Sequence, residues 1–525
     1  MAVQQQPAAL NPFRWIILIG LVTAAIMEIL DTTIVNVALP QMMGNLDSTR
    51  DEIGWVSTGY ILSNVVVLPM TAWLSGRFGR KRYLVVSIVT FIISSVLCGT
   101  SRTLDELVLW RICQGAGGAA LISTAQATLV EIFPRNQQGM VQAIFGLGLI
   151  MAPTLGPALG GWITDNYSWP WCFYINLPIG IVSAMIVYTF LPEAKYARKT
   201  DSIDWAGIGL LATGLGSLQY VLEEGRRYDW FDDPTITKLF IVAAICLIAF
   251  VIWELSPTNR SPVVDLRVLR DRGLSSALVI GLALGFGLYG GIFIYPLFAQ
   301  NVLGFSPTTT GLVLVPGGLA TGFGMIFCGR VLQKGFDPRK LIAFGITLFV
   351  ISMWMLSQLT TQTGATNTEW ALGIRGLALG FLFIPITVAA FSGLQGRDIQ
   401  QGAALFNLAR QLGGSLGIAV LSTYLDNMTA FHRSNLIVNI TSSSVEYQQR
   451  LHSLTAFFMN NDGLGPPAAG SAALGAINNS IMAQASTMSY NDAFLLIGVT
   501  FLFAFPAVFL LKRRMPGTTP GGMGH

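Results

Sequence analysis

Two carboxylates three residues apart, Glu28 and Asp31, lie inside an otherwise apolar run from Trp15 to Leu39. At that spacing they share one face of a helix. An acid near the centre of a bilayer costs a few kcal/mol, roughly 2.5 to 3.5 on insertion scales, and marks a place where ions or substrate pass. Three arginines are embedded in the same way: Arg111, Arg375 and Arg410. Asp31 lies about 12 Å, and Arg111 about 9 Å, from the outer ends of their respective runs at 1.5 Å per helical residue. An aspartate facing an arginine at matching depth keeps its charge. The expected arrangement is therefore an Asp31–Arg111 pair, with Glu28, one turn nearer the midplane, exchanging a proton more readily. Two alternatives stand beside it: a structural ion pair that never changes protonation, and a Glu28 that merely snorkels or hydrogen-bonds. Arg410 has Asn407 and Gln411 within one turn and could bind substrate, counter Glu28 or pack. The three histidines (432, 452, 525) lie outside the apolar runs, and no lysine lies deep in one. By elimination Glu28 and Asp31 are the candidates for proton coupling.

The elements that must hold these groups are membrane spans. Of 525 residues 52% are apolar and 11% charged, which is no soluble globular composition. Fifty-six glycines and 23 prolines fit transmembrane helices, where small residues allow close backbone approach. Fourteen apolar segments are long enough to cross about 30 Å of hydrocarbon. They run near 15–39, 53–74, 83–100, 105–130, 139–163, 172–191, 203–222, 236–254, 274–298, 309–329, 340–359, 369–394, 401–424 and 491–511. With the N-terminus inside, 21 Lys and Arg residues fall in cytoplasmic segments and seven outside, so both termini are expected in the cytoplasm. The five cysteines (98, 113, 172, 246, 328) form no Cys-x-x-Cys pair and read as packing residues; neither a metal nor a cofactor is expected.

A glycine–arginine exit after the second span (Gly76 to Leu84) returns after the tenth (Gly329-Arg330, Arg339 to Leu341). Gln114-Gly115 in the fourth span and Arg375-Gly376 in the twelfth are also eight spans apart. Six spans, a two-span insertion and six more give that offset. The expected organisation is a cytoplasmic N-terminus (1–14), a six-helix bundle (15–191), a central insertion with its flanking loops (192–273), a second six-helix bundle (274–511) and a cytoplasmic tail (512–525). Residues 425–490 within the second bundle read as an external, polar loop with helix-like pieces either side of Gly463 to Gly470. Loops of that length are often functional, and partner docking is one use.

Several stretches carry a family pattern. The first span ends in Leu30-Asp-Thr-Thr-Ile-Val-Asn-Val-Ala-Leu-Pro40, and the second exits through Leu74-Ser-Gly-Arg-Phe-Gly-Arg-Lys-Arg-Tyr-Leu84. The fourth holds Leu107 to Gly115, the fifth Ala152-Pro-Thr-Leu-Gly-Pro-Ala-Leu-Gly-Gly161, and Trp169 to Gly180 and Asn407 to Gly414 complete the set. Together they resemble the major facilitator superfamily, specifically the fourteen-span drug:proton antiporters of the EmrB type. The basic loop departs from the superfamily pattern, with Gly76 where an Asp is usual and Ala72 where a Gly is. Its Arg77, Gly79, Arg80 and Lys81 remain, as cytoplasmic anchors or as part of a gate. Gly156, Pro157, Gly160 and Gly161 match the motif associated with antiporters. Proline removes a backbone donor and glycines four apart make a strip for close packing, so this reads as a hinge or sliding contact, or else as a static kink.

The resemblance implies an all-α membrane protein with fourteen helices arranged 6 + 2 + 6, which exports small amphipathic or drug-like compounds across the cytoplasmic membrane against an inward flow of protons. It places Arg375 on a cavity-lining helix; Gln114, in the Leu107 to Gly115 stretch, stands with Arg111 among the charge-partner or cavity candidates. It also implies a periplasmic adaptor and an outer-membrane channel as partners. No Walker motif appears, so the proton gradient is the expected energy source; its electrical part supplies about 2.3 kcal/mol per charge per 100 mV. A metabolite uniporter or symporter of the same fold is the first alternative, and a membrane-embedded enzyme or receptor the second.

Overall fold

The computed structural model describes residues 11–193, 203–259, 261–438, 440–441 and 444–511. Lys195, Arg198, Lys199, Arg260 and the 512–525 tail, which entered the charge count above, lie outside the described residues, as does most of the 1–14 segment. A helix occupies each of the fourteen expected positions: α1 Arg14–Asn45, α2 Trp55–Phe78, α3 Arg80–Thr100, α4 Leu104–Ile132, α5 Arg135–Asn166, α6 Asn176–Phe190, α7 Trp205–Glu224, α8 Pro234–Leu255, α9 Arg272–Asn301, α10 Pro307–Gln333, α11 Pro338–Leu356, α12 Ala365–Phe391, α13 Arg397–Val438 and α14 Pro466–Leu510. Local chemistry marks where several of them begin. Asp233, Ser306 and Asp337 each accept a backbone N–H of the first turn while a proline holds its first position. Between α2 and α3 the chain turns at Gly79, whose φ of +87° suits a residue without a side chain.

Twelve helices among the described residues are long and apolar enough to cross a membrane, or thirteen when the two segments of the bent α5 count as one span. The polar and small-residue content of α4 explains why it does not join them. That helix packs against α1, α2, α3 and α13, and most of its side chains are buried in protein rather than exposed to lipid. The outward helix α8 is the opposite case: Ile245, Ile248 and Ile252 are more than 60% exposed, as expected of side chains that face hydrocarbon.

Packing repeats with an offset of eight helices. In the first set α1 packs on α4, α5 and α6, α4 on α2 and α3, and α3 on α6. Among the last six helices α9 packs on α12, α13 and α14, α12 on α10 and α11, and α11 on α14. The hairpin α7–α8 docks through α7 onto α2 and α13. The two sets meet along α5 with α10 and α12, and α4 with α13.

The segment expected as an external loop at 425–490 is largely helical. α13 runs on to Val438, a separate helix spans Val445–Asn461, and α14 begins at Pro466. Gly470 lies within α14 rather than in a break; the interruption is confined to Asp462–Gly465, with Gly463 at φ +65°. The apolar runs of α13 and α14 are shorter than the helices that contain them, and the extra turns pack on one another. Between these extensions and the C-terminal end of α9 lies a cavity of about 900 Å³, with the Arg226–Asp426 ion pair on its wall.

Candidate functional site

Asp31 and Arg111 are brought together. Arg111 Nη1 donates to Asp31 Oδ2 at 2.5 Å, and both side chains are fully buried. The acid's other oxygen accepts from Gln114 Nε2 at 3.0 Å and from Asn176 Nδ2 at 2.7 Å. The guanidinium also donates to the Val56 carbonyl at 2.9 Å and to Gln114 Oε1 at 2.7 Å, with the Tyr60 ring 4.3 Å from its carbon. Ser95 accepts from both Gln114 and Asn176 and closes the network. Five helices, α1, α2, α3, α4 and α6, thus meet at one buried charge pair. Arg111 Nε and Nη1 and both oxygens of Asp31 have partners, and such hydrogen bonding is what lets a buried ion pair be tolerated.

Glu28, one turn away on α1, has a different environment. It is 6% exposed; Oε1 accepts from Asn64 Nδ2 at 3.1 Å, and Oε2 has no hydrogen-bond partner. Arg410 stands on α13, in the facing set of helices. Arg410 Nη2 donates to Asn407 Oδ1 at 3.0 Å and the guanidinium lies over the Phe383 ring. Asn407 in turn donates to Gln126 Oε1 at 2.8 Å, joining α13 to α4. Gln411 is half-buried and takes no part in these hydrogen bonds. Arg375 on α12 donates to the Gly291 carbonyl at 3.1 Å. Arg375 and Arg410 line one cavity of about 100 Å³ together with Ile29, Leu288 and Phe383.

The conformational motifs fall in two places. Gly156 and Gly160 face α1: a β-carbon at 156 would stand 1.9 Å from Thr33 Oγ1, and one at 160 would stand 3.0 Å from the Ile34 carbonyl. With Gly148 and Ala152 they form a row of small residues four apart. Gly161 has nothing within 4 Å and stands outside this strip. The segments Gln137–Pro153 and Leu155–Asn166 meet at 41°, where Pro157 leaves the Pro153 carbonyl without its helical donor. In the basic loop Arg80 is buried and paired with Glu131 at the end of α4. Arg77 lies over Trp73, and Lys81 over Tyr188.

Sequence reasoning did not single out Asn64, Ser95, Gln126 or Asn176. Each is an uncharged polar residue within an apolar run, a weak signal in single file. Asn176 falls inside the Trp169 to Gly180 segment, yet nothing in that spacing points to a partner 145 positions earlier.

The sequence matches the profile of the Major Facilitator Superfamily over residues 21–418. It is 33% identical over 512 residues to the fatty acid resistance protein FarB of Neisseria gonorrhoeae, covering 97% of this chain and 98% of the relative. With the multidrug export protein EmrB of Escherichia coli K12 it is 30% identical over 525 residues, the full length of both. Among solved structures, a double-tryptophan mutant of XylE superposes with a TM-score of 0.61 at 14% identity, covering 97% of this chain and 98% of that one, a likeness of fold. The repeated packing, the buried charges between the two sets of helices and these matches lead to one conclusion: this multi-pass membrane chain belongs to the major facilitator superfamily.

Proposed function

We propose that the protein is a proton-coupled exporter of small amphipathic compounds, seated in the cytoplasmic membrane with both termini in the cytoplasm. Membership of a transporter superfamily and relatives named for multidrug export support the class of activity. The observation that carries the coupling is the contrast between the two acids. Asp31 has a charge partner and a filled hydrogen-bond shell, so its work is to hold five helices in register. Glu28 keeps one oxygen free, and Arg410 lies across the moving interface. With Glu28 ionised, the inward-facing state accepts substrate; the helices rock, substrate leaves, and protonation from outside resets the carrier. The cavity of about 100 Å³ is smaller than the roughly 300 to 1,000 Å³ of drug-sized pockets, so loading requires the two sets of helices to part.

Proteoliposomes test this directly. Glu28→Gln is expected to abolish substrate-driven proton flux while the protein still binds substrate. Full proton flux in that variant would remove Glu28 from the coupling step.

The helical extensions around 425–490 are the surface we assign to a periplasmic adaptor, which would pass substrate on to an outer-membrane channel. Replacing residues 440–465 with a short flexible linker is expected to abolish adaptor co-purification without loss of folded transporter. Undiminished co-purification would move the docking surface elsewhere.

A further inference from the structure

The charges on the cavity do not balance, and the imbalance specifies a ligand. Asp31 and Arg111 cancel within their own network. Three charged side chains remain at the central interface: Glu28, Arg375 and Arg410. Among the described residues neither arginine has a carboxylate within 4.0 Å. Among the described residues Arg375 donates to one partner, the Gly291 carbonyl, where a β-carbon would come within 2.8 Å of Nη1. Arg410 has one amide oxygen and one ring face, and its buried Nε has no partner. Both are more than 90% buried. A lysine or a carboxylate in such a place could discard its charge, but a guanidinium keeps it. An uncompensated buried cation is strongly unfavourable, so the site calls for an anion.

We propose that the cavity takes the anionic head of an amphipathic molecule, with Arg375 as its principal anchor. This rests on the transport reading above and narrows its substrate class. With Glu28 ionised the three side chains sum to one positive charge, so a monoanion makes the occluded, loaded site neutral. Arg375 presents a planar fork that matches a carboxylate in bidentate geometry. Arg410, its guanidinium over Phe383, lines the same cavity. The apolar body lies along Ile29, Leu288 and Leu372. An amphipathic acid from the cytoplasm and the headgroup of an anionic lipid share this chemistry.

Equilibrium binding of naphthylacetate, naphthylacetamide and naphthylethylamine, three ligands with one aromatic body and different charge, separates the possibilities. The wild-type protein in phosphatidylcholine nanodiscs is expected to bind the carboxylate at least tenfold more tightly than the amide or the amine. Arg375→Gln is expected to remove that tenfold preference by weakening carboxylate binding far more than amide binding, and Arg375→Lys to restore part of it. A monodisperse size-exclusion profile and an unshifted thermal midpoint report that the variants are folded. Repeating the measurement with phosphatidylglycerol added tests the lipid: loss of carboxylate binding assigns the site to a headgroup and overturns the substrate assignment. Equal or tighter binding of the amide or amine in phosphatidylcholine overturns the anion site. Uptake of the same compounds under an imposed pH gradient tests the transport reading separately. Carboxylate that binds but is not moved leaves the anion site standing and removes the exporter.

Discussion

At the scale of single residues, two acids one turn apart on α1 have opposite prospects. Removing Arg111 leaves Asp31 charged and buried, and breaking a buried pair from one side costs about 3 to 5 kcal/mol. Arg111→Leu and Asp31→Asn are therefore expected to lower the thermal midpoint in detergent sharply. Glu28→Gln keeps an acceptor for Asn64 and loses no hydrogen bond at Oε2, so its cost should stay within about 1 kcal/mol. A Glu28→Gln variant as unstable as Arg111→Leu would show that Glu28 is structural. The Asp31–Arg111 pairing was legible because each charge interrupts an apolar run at a depth that can be counted from one end. The amides around it were not. Gln114 was visible only as part of a motif, and Ser95 and Asn176 gave no spacing to read, because a contact between α3 and α6 is set by packing and not by periodicity. The two-arginine cavity was half visible: Arg375 and Arg410 stood out, but only packing shows that they share a cavity and lack an acid.

At the scale of elements, α5 carries the row of small residues that close packing against a neighbour needs. Its row of Gly148, Ala152, Gly156 and Gly160 lies against α1, the helix that carries both acids, and the bend falls where Pro157 removes a donor. Gly156→Ala is expected to reduce transport at least tenfold, because the added carbon would meet Thr33 Oγ1 at 1.9 Å and its Cβ at 2.6 Å. Thr33→Gly in the same chain removes both atoms and should restore a measurable part of the activity, whereas Gly161→Ala alone should change little. Wild-type transport in Gly156→Ala would mean that α1 and α5 are not closely apposed during the cycle. The motif itself was readable in sequence, since proline and glycine act through the backbone. Which glycines touch a neighbour was not, and Gly161 shows that membership of the motif does not guarantee a contact. The outward extensions of α13 and α14 escaped for the converse reason: hydropathy marks the lipid boundary and is silent about a helix that continues past it.

At the scale of the molecule, the two sets of helices are latched at the end that carries the basic loop. Ser75 donates to Gln400 at 3.0 Å there, and α5 and α10 touch through glycine backbones. A β-carbon on Gly139 would stand 2.8 Å from the Gly329 carbonyl, and one on Gly329 would stand 2.8 Å from the Gly139 carbonyl. A backbone carbonyl cannot rotate away as a side chain can, so bulk at either position must separate the helices. Under the exporter proposed above, alternating access through rigid-body rocking opens this end when the cavity loads. Gly139→Val or Gly329→Val should therefore shift the population towards the state open at the basic-loop end. The measurement is labelling of a single cysteine at Ile29, a cavity-wall position, in a chain whose five native cysteines are replaced. An impermeant maleimide applied from the basic-loop side should react about tenfold faster in either variant, a shift of about 1.4 kcal/mol in the opening equilibrium. Gly311→Val, on the same α10 but with nothing within 4 Å, should leave the rate unchanged. If all three variants label alike, the glycine contact does not govern closure, and the latch must lie in the polar contacts, Ser75 with Gln400 and Gln126 with Asn407.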